Sequence, residues 1–517
     1  MSQPGRPSQS LSLKAAGENT RHRIVSTRSN NRRSYDGFVI NGVILHRGRP
    51  IPIPEDVRSR FVDGDQLFVA DDGDVLHVPA QVSAEVADCV ARARRASSAL
   101  NEVPDESIQQ FFLRSAELLA SSEVRDRLIA VNQEDVHRAQ QAGRSTARLV
   151  LDEAMLRAMV ESFRIWADHP IQRDVVVERV DNEGWTVSRT LAPLGVVGFV
   201  FEGRPNVVVD ACGVLVTGNT CVFRIGRDAR RTAREILSLV VEPALAETSL
   251  PTDSVVLIPL DDHASGWSLF SQPEVSLAVA RGSGKAVQDL GSVARQSGVP
   301  VSLHGRGGAW FLVGESADRD RLLSTLRYSL DRKVCNTANV VVLPRRLSDE
   351  LFPIVVRALQ EAAAARDAKG IIHVISEDGG RFLSTDSKIP GVDVVPAQRH
   401  DLSTEWEWES DPEITVCFVD EIDEAFDLFN EFSPRLVASI ISEEESDHRR
   451  GWQRLSCPFV GDGFSRWVDG QFAFRRPELG LSNWEGGVPL GRGAILSGSD
   501  IHSVRYRVTQ RDPKLHR

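Results

Sequence analysis

Three features that are scarce or absent in this sequence each exclude a class of protein. The six cysteines are scattered, with no CxxC pair and no histidine at ligand spacing, so neither a zinc site nor a disulfide framework is predicted. No apolar run reaches about 18 residues and the N-terminus has no hydrophobic signal region, so we expect neither a membrane-spanning helix nor a signal peptide. The net charge of -11 lacks the basic excess of a nucleic-acid or membrane-surface binder. We therefore expect a cytoplasmic protein that acts on a small molecule.

The composition is that of an ordinary globular protein with several domains. Hydrophobic residues make up 41% and charged residues 26%, and 517 residues allow about two to four domains. Residues 1–35 are polar and carry few large apolar side chains, which predicts a disordered tail. Residues 36–80 alternate short β-rich runs with turn signals such as Asp72-Gly73, which predicts a small β-rich appendage.

The rest of the chain shows the alternation of strand-like and helix-like segments that is typical of an α/β protein. Helical periodicity begins near Ser83, and two strand-like runs flank the turn signal Asn182-Glu183-Gly184, which predicts a hairpin. Apolar runs then alternate with helix-length stretches, as in a parallel sheet that binds a nucleotide. A second α/β series starts near Ala309, and the strand-like end at 503–508 is a candidate to pair with the hairpin.

Cys335 is the cysteine with the most reactive surroundings. It stands between a helix-like stretch and an apolar strand, and the charges of Arg332 and Lys333 would favour its thiolate if they point at the sulfur. A single cysteine is more often structural, so this context alone leaves both readings open.

Four stretches of the sequence carry a resemblance to a known family. They are Pro193–Asp210, Thr217–Arg224, Ala280–Lys285 and Val334–Thr337. From about Ser83 onward the chain resembles gamma-glutamyl phosphate reductases, members of the aldehyde dehydrogenase superfamily that act in proline synthesis. The resemblance implies a Rossmann-type cofactor domain, an α/β catalytic domain and an oligomerisation hairpin. It also implies reduction of an acyl phosphate to an aldehyde with NADPH, through a thioester on a cysteine.

The same resemblance implies roles for particular residues. Cys335 would be the nucleophile, and Asn206 would stabilise the oxyanion, although a turn residue after Pro205 would look the same. The residues implied to bind the cofactor are Arg224, Arg227, Gly282, Ser283, Gly284 and Glu478. Each has a plainer alternative, because a solvated arginine, a structural tight turn or a surface glutamate would give the same pattern.

Departures from the family pattern concern the base and the substrate. Leu303 stands where oxidising members of the superfamily carry a general-base glutamate, which disfavours hydrolysis of a thioester. His304 beside it is a candidate base or a packing histidine. The segments 326–332 and 485–489 differ from the family, and Asn339 replaces a family glutamate, so the acyl group stays open. An acyl-thioester reductase or aldehyde dehydrogenase on this scaffold, and a catalytically silent binding subunit, are the alternatives.

The predicted organisation follows from these assignments. We expect a homodimer or homotetramer formed through the hairpin at 172–191 and the C-terminal strand, with an upstream carboxylate kinase as a possible partner. The predicted segments are a tail at 1–35, the appendage at 36–80, an NAD(P)-binding domain at 81–315, a catalytic domain at 316–480 and a C-terminal return at 481–517.

Overall fold

The computed structural model describes residues 42–146, 148–376, 382, 389–468, 473, 477–480, 484–485, 488–489 and 496–516. The predicted tail at 1–35 lies outside this part of the chain. The helices are α1 Glu55–Arg60, α2 Ala80–Leu100, α3 Asp105–Ala120, α4 Ser122–Gln141, α5 Glu153–Asp168, α6 Val207–Cys212, α7 Arg230–Ile236, α8 Glu242–Glu247, α9 His263–Phe270, α10 Gly284–Ser297, α11 Arg319–Tyr328, α12 Ser348–Ala364, α13 Ile422–Phe432 and α14 Glu445–Arg454.

The strands are more numerous and short. They are β1 Val43–His46, β2 Arg49–Pro52, β3 Gln66–Val69, β4 Val75–Val78, β5 Val176–Asn182, β6 Trp185–Ala192, β7 Val196–Phe201, β8 Thr220–Ile225, β9 Val255–Leu257, β10 Val275–Arg281, β11 Val301–His304, β12 Ala309–Val313, β13 Ala338–Pro344, β14 Gly370–Ile375, β15 Val392–Ala397, β16 Glu413–Val419, β17 Val437–Ile441, β18 Phe459–Gly461, β19 Glu478–Gly480, β20 Trp484–Glu485, β21 Val488–Pro489, β22 Leu496–Ser497 and β23 Ser503–Gln510.

A five-stranded parallel sheet forms the first lobe, in the order β11-β10-β7-β8-β9. All residues of β7 and β8 are buried, as expected for parallel strands covered by helices on both faces. The carboxyl ends of parallel strands meet at one edge of a sheet, where ligands of open α/β proteins bind. The polar segments that follow β7, β8, β10 and β11 therefore lie along this edge.

A seven-stranded parallel sheet forms the second lobe, in the order β15-β14-β16-β13-β12-β17-β18. The central strands β12 and β13 are buried along their whole lengths. Cys335 lies in the loop between α11 and β13, so a strand at the centre of this sheet positions it. The predicted aldehyde-dehydrogenase-like α/β fold is confirmed.

The hairpin β5–β6 and the C-terminal strand β23 form a three-stranded antiparallel sheet. Gly184 in the hairpin turn has a φ of 79°, a conformation that glycine adopts without strain. Val180 pairs with Val187, which pairs with Val508 on its other side, so a row of valines crosses the sheet. Val180 is 48% exposed and Val508 is 60% exposed. This face of the sheet thus has an apolar row open to solvent in the single chain, next to the ion pair between Glu178 and Arg189.

The N-terminal appendage is packed against the first lobe. Leu76 of the β3–β4 hairpin joins a hydrophobic cluster with Val287 and Leu290 of α10, and Phe68 packs against the same cluster. Lys285 of α10 donates hydrogen bonds to the carboxylates of Asp72, at 2.5 Å, and Asp74, at 2.9 Å. Residues 66–78 therefore share the core of the first lobe, and hydrophobic packing extends across the predicted boundary at residue 80.

Candidate active site

Hydrogen bonds hold the loop of Cys335 in one conformation. The Val334 N–H donates to Thr337 Oγ1 at 2.9 Å, and this hydroxyl donates to the Arg332 carbonyl at 2.6 Å. Asn336 Nδ2 donates to the Val468 carbonyl at 2.5 Å. Asn336 and Thr337 are both 1% exposed. The buried side chains of Asn336 and Thr337 thus hold the loop of Cys335 in place.

Gly307 approaches Cys335 more closely than any other residue type would allow. A Cβ at this position would lie 2.4 Å from both Cα and the carbonyl oxygen of Cys335. The next residue, Gly308, donates its N–H to that carbonyl at 2.7 Å. The segment 305–308, which follows β11 of the first lobe, is therefore in direct contact with the candidate nucleophile.

Glu405 joins the two segments that flank the nucleophile. Its Oε2 accepts from the Gly307 N–H at 2.7 Å, and its Oε1 accepts from Lys333 Nζ at 2.6 Å. Asn339 fixes this stretch, because its side chain donates to the Thr404 carbonyl and accepts from the Trp406 N–H. The Lys333 ammonium, predicted to favour the thiolate, is thus paired with Glu405. Sequence reasoning missed Glu405, which has no motif around it.

Cys335 is also the only half-buried cysteine, since the other five are buried. Burial raises the pKa of Cys457 to about 12 and raises the pKa of Cys89, Cys212 and Cys221 as well. A thiol with a raised pKa is a poor nucleophile near neutral pH. Those four thiols are therefore poor nucleophiles near neutral pH.

A cluster of charged side chains occupies the carboxyl edge of the five-stranded sheet. Glu202 Oε1 lies 2.9 Å from Arg204 Nε and 3.8 Å from Arg281 Nη2. Arg281 Nη1 also lies 2.9 Å from Asp210 Oδ2. Glu202 and Arg204 stand on the turn after β7, Arg281 ends β10 and His304 ends β11. The topology of the sheet thus gathers groups that are about 100 residues apart in the chain.

Burial and charge shift the pKa values in this cluster in different directions. Burial raises the pKa of Asp210 to about 6, even though Arg281 opposes the shift. Burial, reinforced by the positive charge of Arg281, lowers the pKa of His304 to about 4. Burial alone would raise the pKa of Glu202, but Arg281 and Arg204 outweigh it and the pKa is lowered. At neutral pH His304 is therefore neutral and a weak base, while Glu202 is ionised.

Asn206 stands on the same turn as Arg204, directly before α6. Its Oδ1 atom is buried and has no hydrogen-bond partner among the described residues. Arg204, two positions earlier, shares Glu202 with Arg281 at the end of β10. The turn that carries Asn206 thus belongs to the same charged edge of the sheet.

The predicted cofactor residues occupy different positions along the sheet edge. Gly282-Ser283-Gly284 connects β10 to α10, with Ser283 exposed at the helix N-terminus. Arg227 follows β8 and is 60% exposed, 3.9 Å from the Asp261 carboxylate. Arg224 is instead 8% exposed, and its Nη2 donates to the Asp261 carbonyl at 3.0 Å.

Glu478 belongs to β19, whose backbone pairs with Ser497 of β22. Strand β19 contacts β10 and β11 of the first lobe.

Where the chain is described, no group of three or more His, Cys, Asp or Glu residues is placed to hold a metal ion. Over the same residues no helix is long and apolar enough to cross a bilayer.

Two parallel α/β lobes with a half-buried cysteine beside a nucleotide-type sheet edge are the arrangement expected of an oxidoreductase. Residues 68–370 match the model of the aldehyde dehydrogenase family, and the chain belongs to that family. The resemblance to gamma-glutamyl phosphate reductases is confirmed by curated relatives. One of them, from Thermobifida fusca, is 28% identical over 410 residues, 78% of this chain and 92% of the relative.

Solved structures show the same fold. The crystal structure of gamma-glutamyl phosphate reductase from Thermotoga maritima has a TM-score of 0.70 at 23% identity and covers 84% of this chain and 100% of its own. An engineered glycolyl-CoA reductase with bound NADP+ has a TM-score of 0.58 at 15% identity, and the match covers 83% of this chain and 98% of the reductase.

Proposed function

We propose that the protein reduces an acyl phosphate, gamma-glutamyl phosphate or a related activated carboxylate, to an aldehyde with NADPH. The observation that carries this proposal is the position of Cys335, held rigidly against the segment that follows β11 at the cofactor edge. The curated relative from Thermobifida fusca, which spans most of this chain, supports an acyl phosphate as the substrate.

The residues at the sheet edge fit a dinucleotide. The first turn of α10 presents backbone N–H groups behind Gly282-Ser283-Gly284, which suits a pyrophosphate or the nicotinamide. Gly226, which precedes Arg227, packs against Gly203 so closely that a Cβ would lie 2.7 Å from the Gly203 nitrogen, so the turns after β7 and β8 lie against each other. The exposed Arg227 suits a ribose 2′-phosphate. NADPH, when bound, supplies a hydride to the acyl group on the cysteine.

The reaction divides into two steps on Cys335. The thiolate attacks the acyl carbon, an S–C bond forms, and the C–O bond to phosphate breaks as phosphate leaves with the electron pair. Asn206 Nδ2 and the Cys335 N–H are our candidates to stabilise the oxyanion. After hydride addition the C–S bond breaks, which releases the aldehyde and returns the thiolate. Leu303, 5% exposed, offers no carboxylate to activate water, so the thioester is preserved for reduction.

A second candidate is an acyl-thioester reductase, in which coenzyme A leaves instead of phosphate. The likeness to the glycolyl-CoA reductase, which shares the fold, motivates it. A screen of aldehydes with NADP separates the two, because the first requires phosphate or arsenate and the second requires coenzyme A.

The same screen with Cys335→Ala tests the nucleophile, and Cys457→Ala, which removes a buried thiol, is the control. Activity that survives in Cys335→Ala would contradict the mechanism. Failure of the wild type to bind NADPH would favour a silent binding subunit.

The exposed valines on the sheet formed by β5, β6 and β23 support assembly into a homodimer or homotetramer through this sheet. A reaction that phosphorylates a carboxylate must supply the acyl phosphate, which makes a carboxylate kinase the upstream partner. A cytoplasmic location stays a prediction.

A further inference from the structure

The turn after β7 contains three buried polar atoms that lack hydrogen-bond partners among the described residues. They are Glu202 Oε2, Arg204 Nε and Asn206 Oδ1. Arg204 Nε is 2.9 Å from Glu202 Oε1 but does not form a hydrogen bond there. Buried polar atoms rarely lack partners, so three within five residues indicate a site that a ligand completes. Arg204 Nε is a donor that an anion can satisfy, whereas the two oxygens are acceptors that require a donor on the ligand.

The charges around Arg204 favour an anionic ligand. Glu202 is shared between Arg204 and Arg281, and Arg281 has a second carboxylate partner in Asp210. Burial lowers the pKa of Arg204, and the positive charge of Arg148 also lowers it, but a guanidinium stays protonated in proteins. A partly buried cation with one shared counter-ion binds an anion more strongly than a solvated cation does.

Arg204 is also linked to the nucleophile. Arg204 shares Glu202 with Arg281, and Arg281 is the register partner of His304 between β10 and β11. Three residues after His304, Gly307 contacts Cys335. An anion on Arg204 would therefore lie at the sheet edge that contacts the Cys335 loop.

We propose that Arg204 binds the phosphoryl group of the acyl substrate beside Cys335, while Glu202 orients its guanidinium. This assignment rests on the proposed function. The planar guanidinium matches two phosphate oxygens at once, which a lysine ammonium does not. As the C–O bond breaks, Arg204 stabilises the charge that accumulates on the departing phosphate.

The first test measures phosphate binding without turnover. Iodoacetamide alkylates Cys335 in the full-length protein, and the other five thiols are buried, so Cys335→Ala supplies the blank. Inorganic phosphate is expected to slow alkylation in the wild type. In Arg204→Met the phosphate concentration for half protection should rise by about 10- to 100-fold, the equivalent of one charged hydrogen-bond pair.

Two variants keep this test interpretable. Arg204→Lys keeps the charge and should show an intermediate effect. Arg164→Met removes an exposed arginine of α5 and should behave like the wild type. Thermal melting shows whether each variant is folded. Absence of protection by phosphate in the wild type, or equal protection in a folded Arg204→Met protein, would overturn the assignment.

A second measurement separates this assignment from the proposed function. In the aldehyde-oxidising direction, Arg204→Met should raise the KM for phosphate while the KM for the aldehyde changes little. A protein that shows Arg204-dependent protection by phosphate but no NADP-linked activity would retain the phosphate site and refute the proposed reaction. Equal KM increases for both substrates would contradict a phosphate-specific role.

Discussion

The His304→Gln variant is expected to become more stable relative to the wild type as the pH falls from 6.5 to 4. The folded protein keeps His304 neutral down to a pKa of about 4, whereas the unfolded chain binds a proton near pH 6.5. The unfolded state thus binds more protons in this window, and the wild type loses stability as the pH falls. The variant has no histidine to protonate and escapes this loss.

Asp210→Asn is expected to have the opposite effect. The pKa of Asp210 is raised from 3.8 to about 6, so the folded state binds the extra proton between these values. Its contribution to stability is fully present below pH 3.8 and is lost as the pH rises through 6. Relative to the wild type, Asp210→Asn should lose stability as the pH falls from 6 to 3.8.

The magnitudes follow from the size of the two shifts. One pKa unit corresponds to about 1.4 kcal/mol, so His304 and Asp210 each contribute about 3 kcal/mol. Because the two trends have opposite signs, they nearly offset each other in the wild type between pH 4 and 6. The stability of His304→Gln should follow only the Asp210 trend, and the stability of Asp210→Asn should follow only the His304 trend.

Urea unfolding at a series of pH values measures these differences. His400→Gln, which changes a 75% exposed histidine, is the control and should give a curve parallel to the wild type. If the difference in unfolding free energy between His304→Gln and the wild type stayed constant from pH 7 to 4, the lowered pKa of His304 would be refuted. A constant difference for Asp210→Asn would refute the raised pKa of Asp210.

Three further predictions concern the nucleophile loop and the assembly. Glu405→Gln removes the charge paired with Lys333 and should lower kcat by about tenfold with a small change in KM; an unchanged kcat would contradict a positioning role. Gly307→Ala forces a Cβ against Cys335 and should lower the rate by at least about 100-fold, whereas Gly463→Ala, in open space, should not. A lysine at Val180 should shift the proposed oligomer toward monomers in sedimentation, and an unchanged mass would exclude this sheet as the interface.

The parallel sheets were predictable because their strands are buried on both faces. Continuous apolar runs such as Val196–Phe201 can only be strands or helix segments, and their regular spacing identifies them as strands. The hairpin was predictable for a local reason, since Gly184 suits the turn between β5 and β6. These features depend on residues that are neighbours in the chain.

The electrostatics of the site depend on residues that are distant in the chain. Lys333 is two positions from Cys335, which suggested that its charge would act on the sulfur, but its ammonium pairs with Glu405, 72 residues away. Arg224 lies in a matched stretch, yet its guanidinium donates to a backbone carbonyl. Sequence adjacency therefore identified the charged groups and could not predict where the side chains point.

The docking of the β3–β4 hairpin on α10 has a consequence for synthesis on the ribosome. Asp74 and Lys285 are separated by 211 positions, so the hairpin emerges long before its partner helix. At about 5–20 residues per second, roughly 10–40 s pass between translation of the hairpin and translation of α10. During that interval the apolar side chains of Phe68 and Leu76 lack the helix that covers them in the folded protein, and we expect the nascent chain to need protection from aggregation.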